Sequence, residues 1–332
     1  MASGRVIKNI MKAICVRQFG GPEVLKVEEN LPIPQPDDNQ VLIKVYAAGV
    51  NPVDTYIRNG TYAIKPALPY TPGMDVSGTV EAVGKNVKRL KEGDRVFSIR
   101  TVTGGYAEYC VTDEDFTQLL HEKLRFEEGA GLGVPYYTAY RATIIRGRAK
   151  PGETVLIHGA SGGVGLACVQ LSRHIGLKVI GTAGSKAGMD LISNHGGNVV
   201  LNHKNEDYTK QIMDATNGEG PDLIIEMLAN VNLEKDLNMI RKNGRIINVG
   251  SRGTVEMSPR FTMAKECIVT GVNLMGSSQE DWKEMHAAIQ QGMKSGWVSP
   301  HVHKEYSLTE AEKAHCDVID NTGAQGKLII KI

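Results

Sequence analysis

The fold is decided by residues 155–167, which run Val-Leu-Ile-His-Gly-Ala-Ser-Gly-Gly-Val-Gly-Leu-Ala. An apolar run typical of a buried strand passes directly into glycines and then into a helix-length segment. Gly159, Gly162 and Gly165 give the spacing G-x-x-G-x-x-G. Such a loop turns sharply, lets backbone amides approach a pyrophosphate, and packs the helix closely on the strand. The stretch predicts a dinucleotide-binding turn, with a tight turn that holds no ligand as the alternative.

Further apolar runs follow the glycine loop and alternate with helix-length amphipathic segments such as Val164–His174 and Met189–His195. This alternation is typical of βαβ units on a parallel sheet. The predicted strands are Thr154–His158, Lys178–Thr182, Val199–Asn202, Leu223–Glu226, Arg245–Val249 and Cys267–Val272. Six such strands match a complete dinucleotide-binding fold, so we predict a Rossmann doubly wound parallel sheet over residues 129–274.

The residues before the parallel sheet predict short strands bounded by Gly and Pro, typical of an antiparallel, barrel-like domain. The predicted strands are Ala13–Arg17, Val41–Ala47, Val76–Val83, Arg95–Ile99 and Tyr106–Val111. The prolines of residues 31–36 predict an extended connection that cannot pair inside a sheet. A helix at Gln279–Ser295 and a strand at Lys327–Ile332 are predicted to complete this domain, which then spans residues 1–128 and 275–332.

Composition excludes several classes of function. The chain has 38 Lys and Arg against 37 Asp and Glu, so no global field attracts nucleic acid or a membrane surface. A local basic segment, Arg141–Lys150, is either a phosphate-binding patch or a solvated helix face. The five spread cysteines predict reduced thiols in the cytoplasm, and no apolar run is long enough to span a membrane. The opening residues predict a disordered tail.

The choice of cofactor depends on the end of the second parallel strand, Gly181-Thr-Ala-Gly-Ser-Lys186. An NAD enzyme places Asp or Glu there against the ribose hydroxyls, and no carboxylate is present in this stretch. Ser185 and Lys186 offer a hydroxyl and a cation that suit a 2′-phosphate, which predicts NADP(H). The alternative for this pair is an ordinary helix N-cap followed by a solvated lysine.

Several blocks together resemble the zeta-crystallin quinone reductases over essentially the whole chain. They include Asn51–Tyr56, Pro69–Gly78, Gly104–Glu108, His158–Gly165, Glu226–Asn232, Val249–Gly253 and Gly323–Lys327. The resemblance implies a zinc-free, NADPH-dependent quinone oxidoreductase of the medium-chain dehydrogenase type. It also implies that the first domain is a GroES-like, mainly β catalytic domain.

No metal site is predicted. Zinc alcohol dehydrogenases of the same superfamily carry a Cys in the segment that matches Asn51–Tyr56, and His-Glu where this chain has Met74-Asp75. The chain lacks that cysteine and that histidine, and it also lacks the four clustered cysteines of the structural zinc lobe. The pair His301-x-His303 has no third ligand nearby in sequence, so we interpret it as a surface pair.

The resemblance implies which residues hold the cofactor. The nicotinamide is expected near Asn51 and Tyr56 of the first domain and near the sixth parallel strand. The expected cofactor-binding residues are Tyr56, Ser161, Gly162, Gly163, Val164, Gly184, Ser185, Lys186, His203, Asn232, Val249, Gly250, Ser251, Arg252, Val272, Asn273 and Leu274. His203 and Arg252 suit the adenine-phosphate end, and either is otherwise a solvated loop residue.

The expected catalytic residues are Asn51, Tyr56 and Tyr62. Tyr56 and Tyr62 would supply aromatic walls and hydroxyl donors to a flat acceptor, and the Asn51 amide would orient the nicotinamide or the quinone oxygen. Packing of a Gly/Pro-rich loop is the alternative role for the tyrosines. Without a Lewis acid, the acceptor should already be electrophilic, as a conjugated quinone is.

Several alternatives remain open from the sequence. The resemblance favours ortho-quinones and allows one-electron transfer, while an enone or aldehyde reductase would keep the same fold and cofactor. It also suggests a lens crystallin role, binding of AU-rich RNA, and a homotetramer. In that tetramer, the edge strand Cys267–Val272 could pair with its copy.

Overall fold

The computed structural model describes residues 9–320 and 325–332. The Gly323–Ala324 part of the last resembling block and the predicted N-terminal tail over residues 1–8 lie outside the described residues. The described chain forms two compact units. Unit 1 contains residues 9–133, 302–320 and 327–332, and unit 2 contains residues 134–301 and 325–326.

Unit 1 is mainly β, as predicted. Its strands are β1 (Ile10–Cys15), β2 (Lys26–Pro32), β3 (Gln40–Val50), β4 (Asp75–Val83), β5 (Arg95–Ser98), β6 (Tyr109–Asp113), β7 (Thr117–Leu119), and, from the end of the chain, β14 (Val302–Ser307) and β15 (Lys327–Lys331). The order β14-β15-β3-β4-β5-β7 makes one sheet, and β6 also pairs with β3. Strand β3 is long and apolar, and its residues Val41, Ile43 and Val45 lie in the unit 1 core.

Strands β1 and β2 form a separate antiparallel pair, in which Met11 pairs with Leu31 and Ile10 with Pro32. The predicted extended connection over residues 31–36 is therefore wrong at its first two residues, because Pro32 is tolerated at the end of an edge strand. The helices of unit 1 are α1 (Pro52–Arg58), α2 (Phe126–Gly129) and α10 (Ala311–Asp320).

Unit 2 contains the parallel sheet. Its strands are β8 (Thr154–Ile157), β9 (Lys178–Ala183), β10 (Val199–Asn202), β11 (Leu223–Glu226), β12 (Arg245–Asn248) and β13 (Ile268–Gly271). Their order, β10-β9-β8-β11-β12-β13, is that of a doubly wound dinucleotide fold, and all five pairings are parallel. The predicted α/β fold class, with a doubly wound parallel sheet and a separate mainly β domain, is confirmed, and six predicted strands match within one residue at each end.

The helices of unit 2 are α3 (Gly133–Tyr140), which continues as a π-helix (Arg141–Arg146), α4 (Gly163–His174), α5 (Lys186–His195), α6 (Tyr208–Ala215), α7 (Ala229–Met239), α8 (Arg260–Lys265) and α9 (Gln279–Ser295). Helix α9 has the predicted bounds but belongs to unit 2, whereas the predicted domain boundary at residue 275 assigns it to the first domain. The contacts that hold α9 there include the hydrogen bond between Tyr137 and His286 and the ion pair between Arg141 and Asp281.

Candidate functional site

The glycine loop joins β8 to α4 at the carboxyl end of the sheet. Gly159 has φ +57°, a left-handed conformation that favours glycine. A Cβ on Gly165 would lie 2.3 Å from the Gly159 carbonyl oxygen, so the close packing of helix on loop requires glycine there as well. The amides of the first turn of α4, from Gly163 onward, have no partner within the helix and are available to an anion.

The expected cofactor-binding residues of unit 2 all follow the strands at this same edge. Ser161–Val164 follow β8, Gly184–Lys186 follow β9, and His203 follows β10. Asn232 lies on α7, the helix after β11. Val249–Arg252 follow β12, and Val272–Leu274 follow β13. In open α/β sheets, ligands bind beyond the carboxyl ends of the strands, where the strand order reverses. Here the order reverses between β8 and β11.

Ser185 and Lys186 begin helix α5. The Ser185 hydroxyl accepts a hydrogen bond from the Gly188 amide at 3.2 Å, so it is an N-cap. The Lys186 ammonium forms an ion pair with Asp190 one helical turn later, and 78% of its side chain is exposed. Ser185 is therefore a helix N-cap and Lys186 a solvated lysine, which is the alternative to a 2′-phosphate site. Both residues also lie beside the end of β9, where the predicted contact with a 2′-phosphate requires them.

The loop after β12 is tied to the end of β11. The amides of Val249 and Gly250 donate to the Glu226 carbonyl oxygen at 2.8 and 3.4 Å. A Cβ on Gly250 would lie 2.5 Å from the Met227 carbonyl oxygen, so this loop also requires glycine. The arrangement holds Val249–Arg252 against the turn that leads into α7.

A buried polar cluster, which the sequence analysis missed, lies beneath the glycine loop. His158, Glu226 and Asp236 are each at most 3% exposed. The His158 Nε2 and Asp236 Oδ1 atoms are 2.9 Å apart, and the Glu226 Oε2 atom lies 3.6 Å from the same nitrogen. We call these residues the buried triad. Its sequence signals are a histidine directly before the first glycine and a carboxylate at the end of an apolar strand.

Burial and the neighbouring charges together shift the pKa values of His158 and Glu226. Burial, together with the Asp236 carboxylate, raises the pKa of Glu226 to about 7, although His158 opposes the shift. Burial alone would lower the pKa of His158, but the neighbouring Asp236 and Glu226 carboxylates raise it overall. The triad also has the composition of a metal site. Among the described residues, its three side chains are the group whose ligand atoms, all within 4.8 Å of one another, are close enough to share an ion.

The expected catalytic residues of unit 1 lie on and beside α1. Tyr56 and Tyr62 are both partly buried, and the Tyr62 amide donates to the Tyr56 carbonyl oxygen at 3.0 Å. Asn51 is only 2% exposed and precedes α1. Its side-chain amide donates to Asp75 Oδ2 at 2.9 Å, and its amide oxygen accepts a hydrogen bond from the Lys327 ammonium. Most of its hydrogen-bonding capacity is therefore used within unit 1.

The residues at this position do not fit zinc. The Lys327 ammonium lies 3.1 Å from Asp75 Oδ2 and is itself buried, at 5% exposure. An ammonium has no lone pair to give to a metal, and it already neutralises the carboxylate that would have to coordinate one. Lys327 was not among the predicted site residues, and a basic residue in a tail gives no sequence signal for burial.

The predicted basic segment presents fewer free cations than its sequence suggests. Arg141 is buried at 8% exposure and forms an ion pair with Asp281. Arg146 donates to the Thr270 hydroxyl at 2.6 Å. All five cysteines are free, as predicted, and none of the described helices is both long and apolar enough to cross a membrane.

The fold is that of a class of proteins with one dinucleotide-binding unit and one mainly β unit. Two family models agree with this class. Residues 37–124 match the alcohol dehydrogenase GroES-like domain, and residues 163–291 match the zinc-binding dehydrogenase model. Both models describe dehydrogenases.

The relatives specify the family. The chain is 51% identical to quinone oxidoreductase of Homo sapiens over 330 residues, which covers 99% of both chains. A solved structure of Escherichia coli quinone oxidoreductase complexed with NADPH superposes with a TM-score of 0.88 at 28% identity, covering 97% of this chain and 100% of that one. A quinone oxidoreductase of Pseudomonas syringae gives 0.89 at 27% identity, with 97% and 100% covered. The chain belongs to the quinone oxidoreductase family.

Proposed function

We propose that the chain is an NADPH-dependent quinone oxidoreductase that works without zinc. The observation that carries the proposal is the glycine loop at the point of strand-order reversal, in a chain 51% identical to a quinone oxidoreductase. When bound, the cofactor supplies the reducing equivalents for the acceptor. The residues of this chain bind and orient both reactants.

The glycine loop would hold the pyrophosphate of NADPH. The free amides at the start of α4 point away from the helix and carry its partial positive charge, which suits phosphate oxygens. Gly159 supplies the left-handed turn of this loop, and Gly165 lets α4 pack closely against it. Ser185 and Lys186 would contact the 2′-phosphate, since the Lys186 ammonium is exposed and can exchange Asp190 for the ligand.

Unit 1 would supply the acceptor site. Tyr56 and Tyr62 would flank a flat quinone, and Asn51 would present the remaining amide hydrogen after its contacts with Asp75 and Lys327 are made. Ortho-quinones and one-electron transfer belong to the same proposal. Detection of a radical by electron paramagnetic resonance during turnover would support one-electron transfer, and its absence would favour a two-electron product.

The test is a titration with NADPH and NADH, followed by turnover with quinones, enones and aldehydes. We expect tighter binding of NADPH and faster oxidation with quinones than with enones or aldehydes. Faster turnover of enones or aldehydes would favour the alternative reductase. The double variant Tyr56→Phe and Tyr62→Phe should raise the KM for quinone, and unchanged turnover would remove the tyrosines from the acceptor site.

We also infer a homotetramer in the cytoplasm. Strand β13 is the edge of the parallel sheet, and Ile268 at its start is 55% exposed, which suits pairing with a second copy. Sedimentation velocity tests the assembly. RNA binding and a lens role stay predictions from the resemblance, and salt-dependent binding lost on reversal of Arg148 and Lys150 would support the former.

A further inference from the structure

The buried triad lies where the dinucleotide fold binds its ligand, yet none of its three side chains is exposed to bind one. His158 stands between β8 and Gly159, and Glu226 ends β11. These are the two neighbouring strands between which the strand order reverses, and the His158 amide donates to the Ile225 carbonyl oxygen at 3.0 Å. The triad therefore links the two strand ends from which the cofactor-binding loops depart.

We propose that His158, Glu226 and Asp236 position the glycine loop and Asn232 for the dinucleotide, and thereby set cofactor affinity without contacting the cofactor. The inference rests on the proposed function, because it concerns how tightly the chain holds NADPH. Its three members are positioning residues, since they act through the loops they hold.

Glu226 connects the triad to the binding loops. Its Oε1 atom accepts hydrogen bonds from the Leu228 amide and, at 3.1 Å, from the Asn232 side-chain amide. Its carbonyl oxygen accepts from Val249 and Gly250. One residue thus fixes the turn into α7, the orientation of Asn232 and the loop after β12. Removing its side chain would free the first two of these at once.

Asp236 and His158 hold the other side of the triad. Asp236 lies two turns into α7 and bonds the imidazole that immediately precedes the glycine loop, at 2.9 Å. This hydrogen bond ties the helix that carries Asn232 to the loop that would carry the pyrophosphate. Any shift of α7 would therefore move the glycine loop with it.

Burial favours the protonated form of the Glu226 carboxyl group. Glu226 Oε2 and Asp236 Oδ2 are fully buried with no hydrogen-bond partner among the described residues, and two bare carboxylates would be costly at such a depth. Burial raises the pKa of Glu226 to about 7, and the two carboxylates raise the pKa of His158, so both groups keep a proton to higher pH than they would in water. A neutral glutamine at residue 226 would then resemble the native state, whereas alanine would not.

Three variants and one control test this inference. Glu226→Gln retains an acceptor for Leu228 and Asn232, Glu226→Ala removes it, and Asp236→Asn weakens the bond to His158. The control is Asp222→Asn at the opposite end of the β11 region, which loses the ion pair with Arg241 at 2.6 Å far from the binding edge. The measurements are the Kd for NADPH by fluorescence, KM for quinone at saturating NADPH, hydrogen exchange without cofactor, and metal content.

We expect Glu226→Ala to raise the Kd for NADPH about tenfold and Asp236→Asn about threefold, with Glu226→Gln within about twofold. The KM for quinone should stay unchanged. Without cofactor, residues 159–166 should exchange faster in Glu226→Ala than in Asp222→Asn. If Glu226→Ala does not fold, Asp236→Asn carries the same comparison.

Equal Kd values for Glu226→Ala and the control would overturn the inference, as would a glutamine variant as weak as the alanine one. Stoichiometric metal in the wild type that is lost in Asp236→Asn would also overturn it, because the triad would then be an ion site. If the wild type binds no NADPH, the proposed function fails by itself. The exchange rates of residues 159–166 then still decide whether the triad holds the loop.

Discussion

The buried carboxylates of the two units have different basic partners. In unit 1, Asp75 is in direct contact with the Lys327 ammonium at 3.1 Å. In unit 2, no lysine or arginine forms an ion pair with the described members of the buried triad, and His158 is the basic partner. The carboxylate of unit 1 therefore contacts an ammonium, whereas a carboxylate of unit 2 contacts an imidazole.

Asp54 and Asp75 are both buried in unit 1, but they have different hydrogen-bond partners. Asp54, one turn along α1, is as buried as Asp75, but burial raises its pKa to about 7, and the nearby Asp75 carboxylate adds to the shift. Its side chain accepts the Asn51 amide rather than an ammonium. The two aspartates therefore differ in their partners, because Asp75 contacts an ammonium and Asp54 accepts a hydrogen bond from a backbone amide.

The largest effect should come from removing the Lys327 ammonium that contacts the buried Asp75 carboxylate in unit 1. Lys327→Met leaves the Asp75 carboxylate buried beside an apolar chain, and loss of one partner of a buried pair costs about 3–5 kcal/mol. We expect the free energy of unfolding in urea to fall by that amount. The matched control is Lys331→Met on the same strand, whose ammonium is 53% exposed and 3.4 Å from Glu305. A similar loss in both variants would show that the buried pair has no special weight.

The next effect should come from the glycine loop. Gly165→Ala places a methyl group 2.3 Å from the Gly159 carbonyl oxygen, so the loop and helix must separate. We expect the Kd for NADPH to rise at least about tenfold, since the amides that hold the phosphates lose their common orientation. Gly271→Ala is the control, because its nearest neighbour would be 3.9 Å away. An unchanged Kd in Gly165→Ala would remove the loop from the binding site.

The sequence was sufficient for the parts of the fold that depend on local pattern. The apolar runs Val199–Asn202 and Leu223–Glu226 match β10 and β11 at both ends, because a short β-branched run between polar turns has few alternatives. The spacing of Gly159, Gly162 and Gly165 also predicted the position of the loop. The strands β2, β7 and β14 were missed, since each is short or largely polar and shows little apolar alternation.

The site was only partly predictable, for a physical reason. Residues that follow strands, such as Ser161 and Gly184, can be assigned from the order of elements alone. The buried triad requires that α7 bring Asp236 back to a histidine 78 residues earlier, and no local pattern encodes that distance. Lys327 likewise depends on β15 pairing with β3, which brings the end of the chain beside Asn51.

A smaller effect should appear in the pH dependence of stability. The pKa of Glu226 is raised to about 7 in the folded state, so the folded chain binds the proton that the unfolded chain releases near 4.5. The contribution of the Glu226 proton to the free energy of unfolding is therefore complete below about pH 4.5, and it is lost as the pH rises to about 7. The free energy of unfolding should fall by up to about 1.4 kcal/mol per pH unit for this group, with Asp54 acting in the same direction.

Glu226→Gln should flatten that decline between pH 5 and 7.5, measured by urea unfolding at several pH values. Glu153→Gln is the control. Its pKa is lowered by Arg245 and by the Lys150 amide against the opposing effect of burial, so its contribution is lost only below the unfolded value. A slope that Glu226→Gln does not change would mean that Glu226 remains charged in the folded chain. The triad would then have to be balanced by something other than a proton.

The smallest effect should come from the exposed end of the binding edge. Lys186→Ala removes a cation that is 78% exposed and already paired with Asp190, so its contact with a 2′-phosphate is screened by solvent. We expect the Kd for NADPH to rise about two- to fivefold while the Kd for NADH stays the same. The control is Lys178→Ala at the other end of β9, where the ammonium donates to the Ala215 carbonyl oxygen at 2.7 Å. Equal changes for both cofactors would mean that Lys186 does not contact the 2′-phosphate, and selectivity would then depend on the absence of a carboxylate after β9.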